Sequence, residues 1–412
     1  MVKVLIFEPF AHGGKLEPIE HLVNFCDNNF KKIHFIFLAG PNIDRSRIPK
    51  PSFCKLSIIA LSKREFKILC LKNNIITSIA QYFILKKYIK IYKPKVVFII
   101  FLDKIYNILA FQIRFPEDVK IIGIIYRANF HYPYLFKSPP ENLKEKINYF
   151  RKKYLLKFSL YNPSLYKLLT FDETLPRFAK MYWNSDKFKY IPEPIYEMES
   201  QIKICKIRNL SNRPFLFLIF GYLEYRKGIL QLLDAINLLS PEIQEKVCLI
   251  IAGEIDSKIE NKFFSSINLL KVKTNVEIII KNYFLPINEL AALIKQVDLI
   301  LCPYIRFPGS SGVLHWAASM RKPIITQDYG LIGYLTRKYK LGAYLDTRHP
   351  CNIALAIELF VKDRNLFFKK FFDPLVAYQF AQNKTPKEFA SKIIETFCGI
   401  SDEPKIKAFT IN

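Results

Sequence analysis

Two stretches of this sequence carry residue types suited to holding a diphosphate. The first is Gly221-Tyr-Leu-Glu-Tyr-Arg226-Lys227-Gly228, directly after the apolar run 214–221 and directly before an amphipathic segment. A glycine at that point lets a ligand approach the backbone. Arg226 and Lys227 stand just ahead of a helix N-terminus, whose free N–H groups and dipole favour anions. A guanidinium presents a planar fork and an ammonium a compact point charge, a combination suited to a diphosphate. The second stretch is Gly309-Ser310-Ser311-Gly312, after the run 298–304, with His315 one turn on from Ser311. Two hydroxyls and several unpaired N–H groups between two glycines make another anion cradle. Each motif has a plainer reading that spacing leaves open: a solvated loop, a helix cap, and for His315 a structural histidine. Two cradles in one domain nevertheless fit a nucleotide-diphosphate donor better than a lone phosphate, with Gly221, Gly309, Ser310, Ser311, Gly312 and His315 as its contacts. G-x-G-x-x-G and G-x-x-x-x-G-K-[ST] do not occur, so a dinucleotide fingerprint and a Walker loop are excluded.

Strands and helices must position these loops. Short, continuous, β-branched runs (2–10, 32–40, 54–62, 94–103, 119–127 and 167–173) alternate with helix-period segments in the front half. Such runs suit parallel strands covered on both faces. A second set follows at 214–221, 247–254, 276–284, 298–304 and 322–328. Between them Ile229, Leu232, Leu233, Ile236 and Leu239 recur at helical spacing. The expected class is α/β, with two Rossmann-like parallel-sheet domains facing a cleft. The expected boundaries are 1–191 for the first domain, 192–213 for a linker with two prolines and no period, and 214–385 for the second domain. Residues 386–412 form a helix and tail that could pack back across the domains.

Composition narrows the class further. The 412 residues include 62 Lys+Arg against 36 Asp+Glu, a formal net charge of +26, yet 50% are hydrophobic, which excludes a disordered polybasic chain. Residues 51–100 alone hold ten basic residues and one acid, Glu65. Either an anionic partner or compositional drift accounts for that window. No aromatic-interleaved recognition motif accompanies the charge, so nucleic acid is not an expected partner. Eight cysteines without C-x-x-C or Cys/His metal spacing read as reduced thiols, with no zinc and no disulfide frame. No signal-peptide core and no membrane-length apolar run are present, which points to a cytoplasmic protein.

The stretch Gly221 to Gly228 resembles the G-x-L-x-x-R-K-G element of glycosyltransferase group 1, family 4-like, the retaining enzymes of the GT-B type. Residues 249–254, 287–298, 299–304 and 322–333 match later elements of that family in order. The resemblance covers roughly 214–346 well and the front half only in architecture. It implies a GT-B fold and a hexosyltransferase moving a sugar from a nucleotide-diphosphate donor to an acceptor hydroxyl, with retention. It also implies that Arg226 and Lys227 are catalytic, stabilising the departing diphosphate, and that no metal and no cofactor are needed. The family usually carries Glu-x7-Glu, whose positions here fall on Pro308 and Trp316. A non-catalytic scaffold binding a nucleotide-sugar or a partner protein is therefore the alternative. The front domain of such enzymes binds the acceptor, a glycan or lipid-linked molecule. The candidates are His12, Gly13 and Gly14 after the first strand, and Arg127 and His131 after the fifth. The lysine-rich window would then dock the protein peripherally on the anionic inner face of the cell membrane.

Overall fold

The computed structural model describes residues 1–11, 16–29, 31–135, 140–195 and 211–400. His12, Gly13 and Gly14 lie outside the described residues. The chain separates into two compact units, one of Met1–Pro133, Pro139–Pro194 and Pro386–Asn412, the other of Tyr134–Ser138 and Ile195–Thr385.

The first unit is built on β1 (Val2–Glu8), β2 (Ile33–Ala39), β3 (Lys55–Ala60), β4 (Val96–Ile99), β5 (Lys120–Ile125), β6 (Leu165–Thr170) and β7 (Phe188–Tyr190), in the order β3-β2-β1-β4-β5-β6-β7. Every pairing is parallel. The apolar runs are continuous because helices cover both faces: Val4, Leu5 and Ile6 in β1 are all fully buried. The helix Pro386–Cys398 belongs to this unit, although the whole second unit precedes it in the chain. Its Phe389, Ile393 and Phe397 enter the same core as Ile19, Leu22 and Cys26 of the helix Glu17–Asn28.

The second unit holds β8 (Phe215–Phe220), β9 (Val247–Ala252), β10 (Glu277–Lys281), β11 (Leu299–Cys302), β12 (Ile324–Gln327) and β13 (Gly342–Leu345), in the order β10-β9-β8-β11-β12-β13, again all parallel. In each sheet the direction of travel reverses at the centre, between β1 and β4 and between β8 and β11. Loops leaving the carboxyl ends of those strand pairs part to opposite faces and open a crevice, which is where ligands bind in such sheets. Among the described residues, no helix is long and apolar enough to cross a membrane.

Candidate functional site

Both candidate motifs leave the central pair β8 and β11, so the sheet order brings them to one crevice. β8 runs into Gly221, whose φ of +98° is favoured only by glycine. The chain then makes a short turn through Tyr225–Lys227 and enters the helix Ile229–Asn237 through Gly228, with φ +72°. A Cβ at Gly228 would lie 1.8 Å from the Pro303 carbonyl oxygen, so only glycine lets the two turns approach this closely. They are also tied by backbone: the Ile305 N–H donates to the Arg226 carbonyl at 3.0 Å.

Lys227 is buried, with 8% exposure, and its Nζ donates to the Tyr304 hydroxyl. That hydroxyl is 2.9 Å from Ser311 Oγ, which in turn accepts from the Val313 N–H at 3.3 Å. The ammonium donates only, so the phenolic oxygen accepts from Lys227 while it shares its other hydrogen bond with Ser311. The result is a relay from the first motif into the second. Burial lowers the Lys227 pKa from 10.5 to about 8. A Cβ built on Gly221 would stand 3.4 Å from Nζ, so the ammonium faces the bare backbone of the β8 turn.

Arg226 is more open. Its Nε donates to Glu224 Oε1 at 2.6 Å, and its guanidinium lies 4.5 Å from the Phe307 ring centroid. Phe307 is itself held by Gln327 at the end of β12, whose Oε1 accepts the Phe307 N–H at 2.9 Å and whose Nε2 donates to the Phe307 and Tyr329 carbonyls. Gly309 needs its small size, since a Cβ would meet the Phe307 ring at 2.8 Å. A Cβ at Gly312 would meet nothing within 4 Å, so the space beside that backbone is open. The helix Gly312–Ser319 begins with Ser311 as its cap. His315 faces the packed side of that helix, 2% exposed and stacked on Phe380, and touches the loop through Ser310 Oγ at 3.3 Å.

The first unit carries a cavity of about 410 Å³ at its own reversal, lined from the carboxyl ends of β1, β4 and β5. Arg127 lines it. Asp103 accepts the N–H groups of Tyr126 and Arg127 at 3.0 and 2.9 Å, and Lys152 donates to the Arg127 carbonyl at 3.2 Å. Burial pushes the Asp103 pKa up despite those two N–H donors. His131 is placed differently from the expectation of an acceptor contact. Its ring is fully buried, with Nε2 2.9 Å from Asp172 Oδ2 and 3.1 Å from Thr174 Oγ1, and packs against Tyr132 and Phe178. A side chain so enclosed does not line the cavity, and it ties the turn after β5 to Asp172 and Thr174 beyond β6.

Sequence reasoning passed over Tyr304, Gln327, Arg151 and Lys152. Tyr304 ends the run 298–304, and a phenol just past a central strand is a signal that was there to be read. Arg151 and Lys152 sit in a helix so rich in basic residues that nothing in the pattern separates them from the rest.

Residues 200–369 match the family model of glycosyl transferases group 1. The sequence matches no curated protein. Among solved structures, the chain is similar to WaaG, a glycosyltransferase involved in lipopolysaccharide biosynthesis, at 13% identity, covering 97% of this chain and 100% of that one with a TM-score of 0.65. It is similar to an α,α-trehalose-phosphate synthase (UDP-forming) from Burkholderia vietnamiensis at 9% identity, 97% and 100% coverage and a TM-score of 0.69. It is also similar to a glycosyltransferase from Rickettsia africae at 14% identity, 98% and 99% coverage and a TM-score of 0.63. The chain has the GT-B fold, and within it residues 200–369 are similar to glycosyl transferases group 1.

Proposed function

We propose that this protein transfers a hexosyl group from a nucleotide-diphosphate donor to an acceptor hydroxyl, with retention of configuration. The observation that carries the reading is the buried Lys227 ammonium, set at the β8/β11 crevice and tied through Tyr304 to Ser311. Lys227 and Arg226 bind the two phosphates, and the Gly309–Gly312 backbone takes further phosphate oxygens. As the bond from the anomeric carbon to the phosphate oxygen breaks, negative charge grows on the diphosphate. Groups already fixed beside it stabilise that charge without reorganising. The acceptor oxygen bonds to the same face of the anomeric carbon, and its proton passes to the departing phosphate. The two cations supply the charge a divalent metal would otherwise bring, so transfer proceeds without one. The solved relative named as UDP-forming supports a nucleoside-diphosphate product.

A thermal-shift panel of nucleotide sugars and bare nucleoside diphosphates tests the reading, because a ligand bound to the native state raises apparent stability by mass action. One nucleotide series should raise the melting temperature, and a flat panel contradicts the proposal. Pro308 and Trp316, in place of the family's two carboxylates, favour a second reading, a scaffold that binds a nucleotide-sugar without transferring it. A shift with no transfer or hydrolysis of the bound donor would select that reading.

The acceptor reaches the enzyme at an anionic lipid surface, on the cytoplasmic side. On the helix Asn74–Tyr92, Ile75, Ile79 and Phe83 follow at four-residue spacing and are exposed, Ile75 at 72% and Phe83 at 61%. Phe150, Tyr154 and Phe158 form a like stripe on the helix Leu143–Ser159. The loop carrying exposed Phe111 joins them, bonded to both through Tyr82 to Arg114 and Gln112 to Phe158. Exposed Lys86, Lys90 and Lys93 continue the first stripe. Apolar side chains edged with lysines suit an anionic bilayer, each basic residue adding ~1 kcal/mol near the surface, and the shared positive charge disfavours a second copy. Co-sedimentation should be strong with phosphatidylglycerol vesicles and weak with phosphatidylcholine, and should fall in Ile75→Asn/Phe83→Asn. Equal binding to both vesicles overturns this part.

A further inference from the structure

Gln327, the last residue of β12, is 1% exposed and spends its whole amide on backbone groups. Its Oε1 accepts the Phe307 N–H, while its Nε2 donates to the Phe307 and Tyr329 carbonyls. Only a primary amide fits this seat. A carboxylate would face two carbonyl oxygens with no proton to give, and an apolar side chain would leave three backbone groups unsatisfied. The clamp falls on a loop that needs one. Arg306, just before Phe307, holds φ +44°, a conformation that a bulky residue keeps only where its surroundings enforce it. What the clamp sets in place is the Phe307 ring, which Tyr304 meets edge-on with centroids 5.6 Å apart. The Arg226 guanidinium lies over the Phe307 ring at 4.5 Å and over the Tyr304 ring at 5.7 Å. Glu224 engages its Nε, and among the described residues its two Nη groups donate to nothing. A long, partly exposed side chain is thereby fixed by one face and one edge, and its fork stays open.

We propose that Gln327 is a positioning residue for donor binding, which through Phe307 holds the Arg226 guanidinium so that both Nη groups face the diphosphate. This deepens the transfer reading above and rests on it for the word diphosphate. The fixing of Arg226 by Gln327 does not. Gln327 bonds to neither cation, so its effect on binding runs through the aromatic ring it holds. Lys227 has a separate prop, the Tyr304 hydroxyl, and stays in place without Gln327. A guanidinium fork set in place beforehand loses less side-chain freedom when an anion arrives, which is how a residue that touches no ligand adds to affinity.

The Nε–H resonance of Arg226 tests the fixing without any ligand, in the full chain ¹⁵N-labelled at arginine and assigned by Arg226→Lys. It should stand apart from the other arginine signals through the ring current of Phe307, and should move to join them in Gln327→Met. Because Gln327 also holds Tyr329, whose ring carries the Arg306 guanidinium at 4.3 Å, Phe307→Leu isolates the Arg226 branch. Calorimetric titration of uridine, guanosine and adenosine diphosphates reads the consequence. Both variants should bind the preferred diphosphate about five-fold or more weakly, and in either background Arg226→Ala should cost at most about two-fold more. Lys227→Ala should keep its full penalty in both. Gln327→Asn, which keeps an amide but withdraws it by one methylene, gives the same readings where Gln327→Met fails to fold. An Arg226 resonance unmoved in the Gln327 variants overturns the inference. So does weaker binding in which the Arg226→Ala penalty is as large as in the wild type, the mark of a merely structural role. If no diphosphate binds the wild type, the donor reading falls, and the resonance alone decides this inference.

Discussion

The Lys227 ammonium donates to the Tyr304 hydroxyl, so a buried cation is held in place by a phenol and is not neutralised by a carboxylate. Its pKa of about 8 measures what that costs, on the order of 3 kcal/mol of differential stability between the charged and neutral forms. On the proposed reading, a diphosphate arriving in the crevice would relieve the cost. The same hydroxyl is hydrogen-bonded to Ser311 Oγ, so the cation and the second loop are positioned together.

Loss of either cation should slow transfer. Arg226→Ala and Lys227→Ala should each lower donor turnover by about 10²–10³-fold, the usual effect of removing one preorganised stabiliser of developing charge. Tyr304→Phe keeps the cation but frees it, and should cost less than Lys227→Ala. Initial rates at saturating donor check this, and near-normal turnover in both alanine variants contradicts the assignment.

Donor affinity should depend on pH through Lys227. Its folded pKa lies below the ordinary value, about 8 against 10.5. Below pH 8 the lysine is charged in both folded and unfolded chains, and burial of the charge weighs against the fold. Between about 8 and 10.5 the folded chain sheds its proton first, and stability rises with pH. Ligand binding runs the other way, since the diphosphate needs the ammonium. The dissociation constant of a nucleoside diphosphate should climb between about pH 7.5 and 9.5, by up to tenfold per unit. Lys227→Arg should flatten the curve, and an unchanged slope in that variant contradicts the account.

If Arg226 and Lys227 supply the two positive charges at the diphosphate, as proposed, chelation should leave transfer intact. Rates measured with EDTA and with added Mg²⁺ should agree within about two-fold. A loss on chelation that Mg²⁺ restores would assign the diphosphate charge to a metal instead.

His131 should matter for stability and not for donor binding. Burial alone would raise the Asp172 pKa, but the neighbouring His131 and bonds from His131 and Thr174 outweigh it and hold the carboxyl below its usual range. A depressed folded pKa stabilises at neutral pH and is lost as pH falls through it. His131→Ala leaves a buried carboxylate without its partner, a loss of about 3–5 kcal/mol. The deficit should be largest near pH 7 and shrink towards about pH 4, where a neutral carboxyl is cheap to bury. Urea melts across that range check it, and a deficit independent of pH contradicts the pairing.

The parallel sheets were legible because their central strands are continuous apolar runs, such as 247–254, that only two-sided burial explains. β7 and β13 were missed. β7 is the three-residue Phe188–Tyr190, and β13 opens on Gly342 and leaves Tyr344 exposed, so neither shows a strand pattern. Arg226 and Lys227 could be read because strand, glycine, basic pair and helix follow one another within a dozen residues. The Tyr304 link could not, since it joins positions 77 residues apart that meet only when β11 settles beside β8. His131 misled for a related reason. A histidine after a strand looks ready for chemistry until Asp172, 41 residues on, closes over it.

The most direct test of the central claim is calorimetric titration of uridine, guanosine and adenosine diphosphates into the wild-type chain and into Arg226→Ala/Lys227→Ala. One diphosphate should bind the wild type, and the double variant should lose about 100-fold or more in affinity while keeping its melting temperature to within a few degrees. Equal affinity in the two proteins would show that the diphosphate does not lie against Arg226 and Lys227.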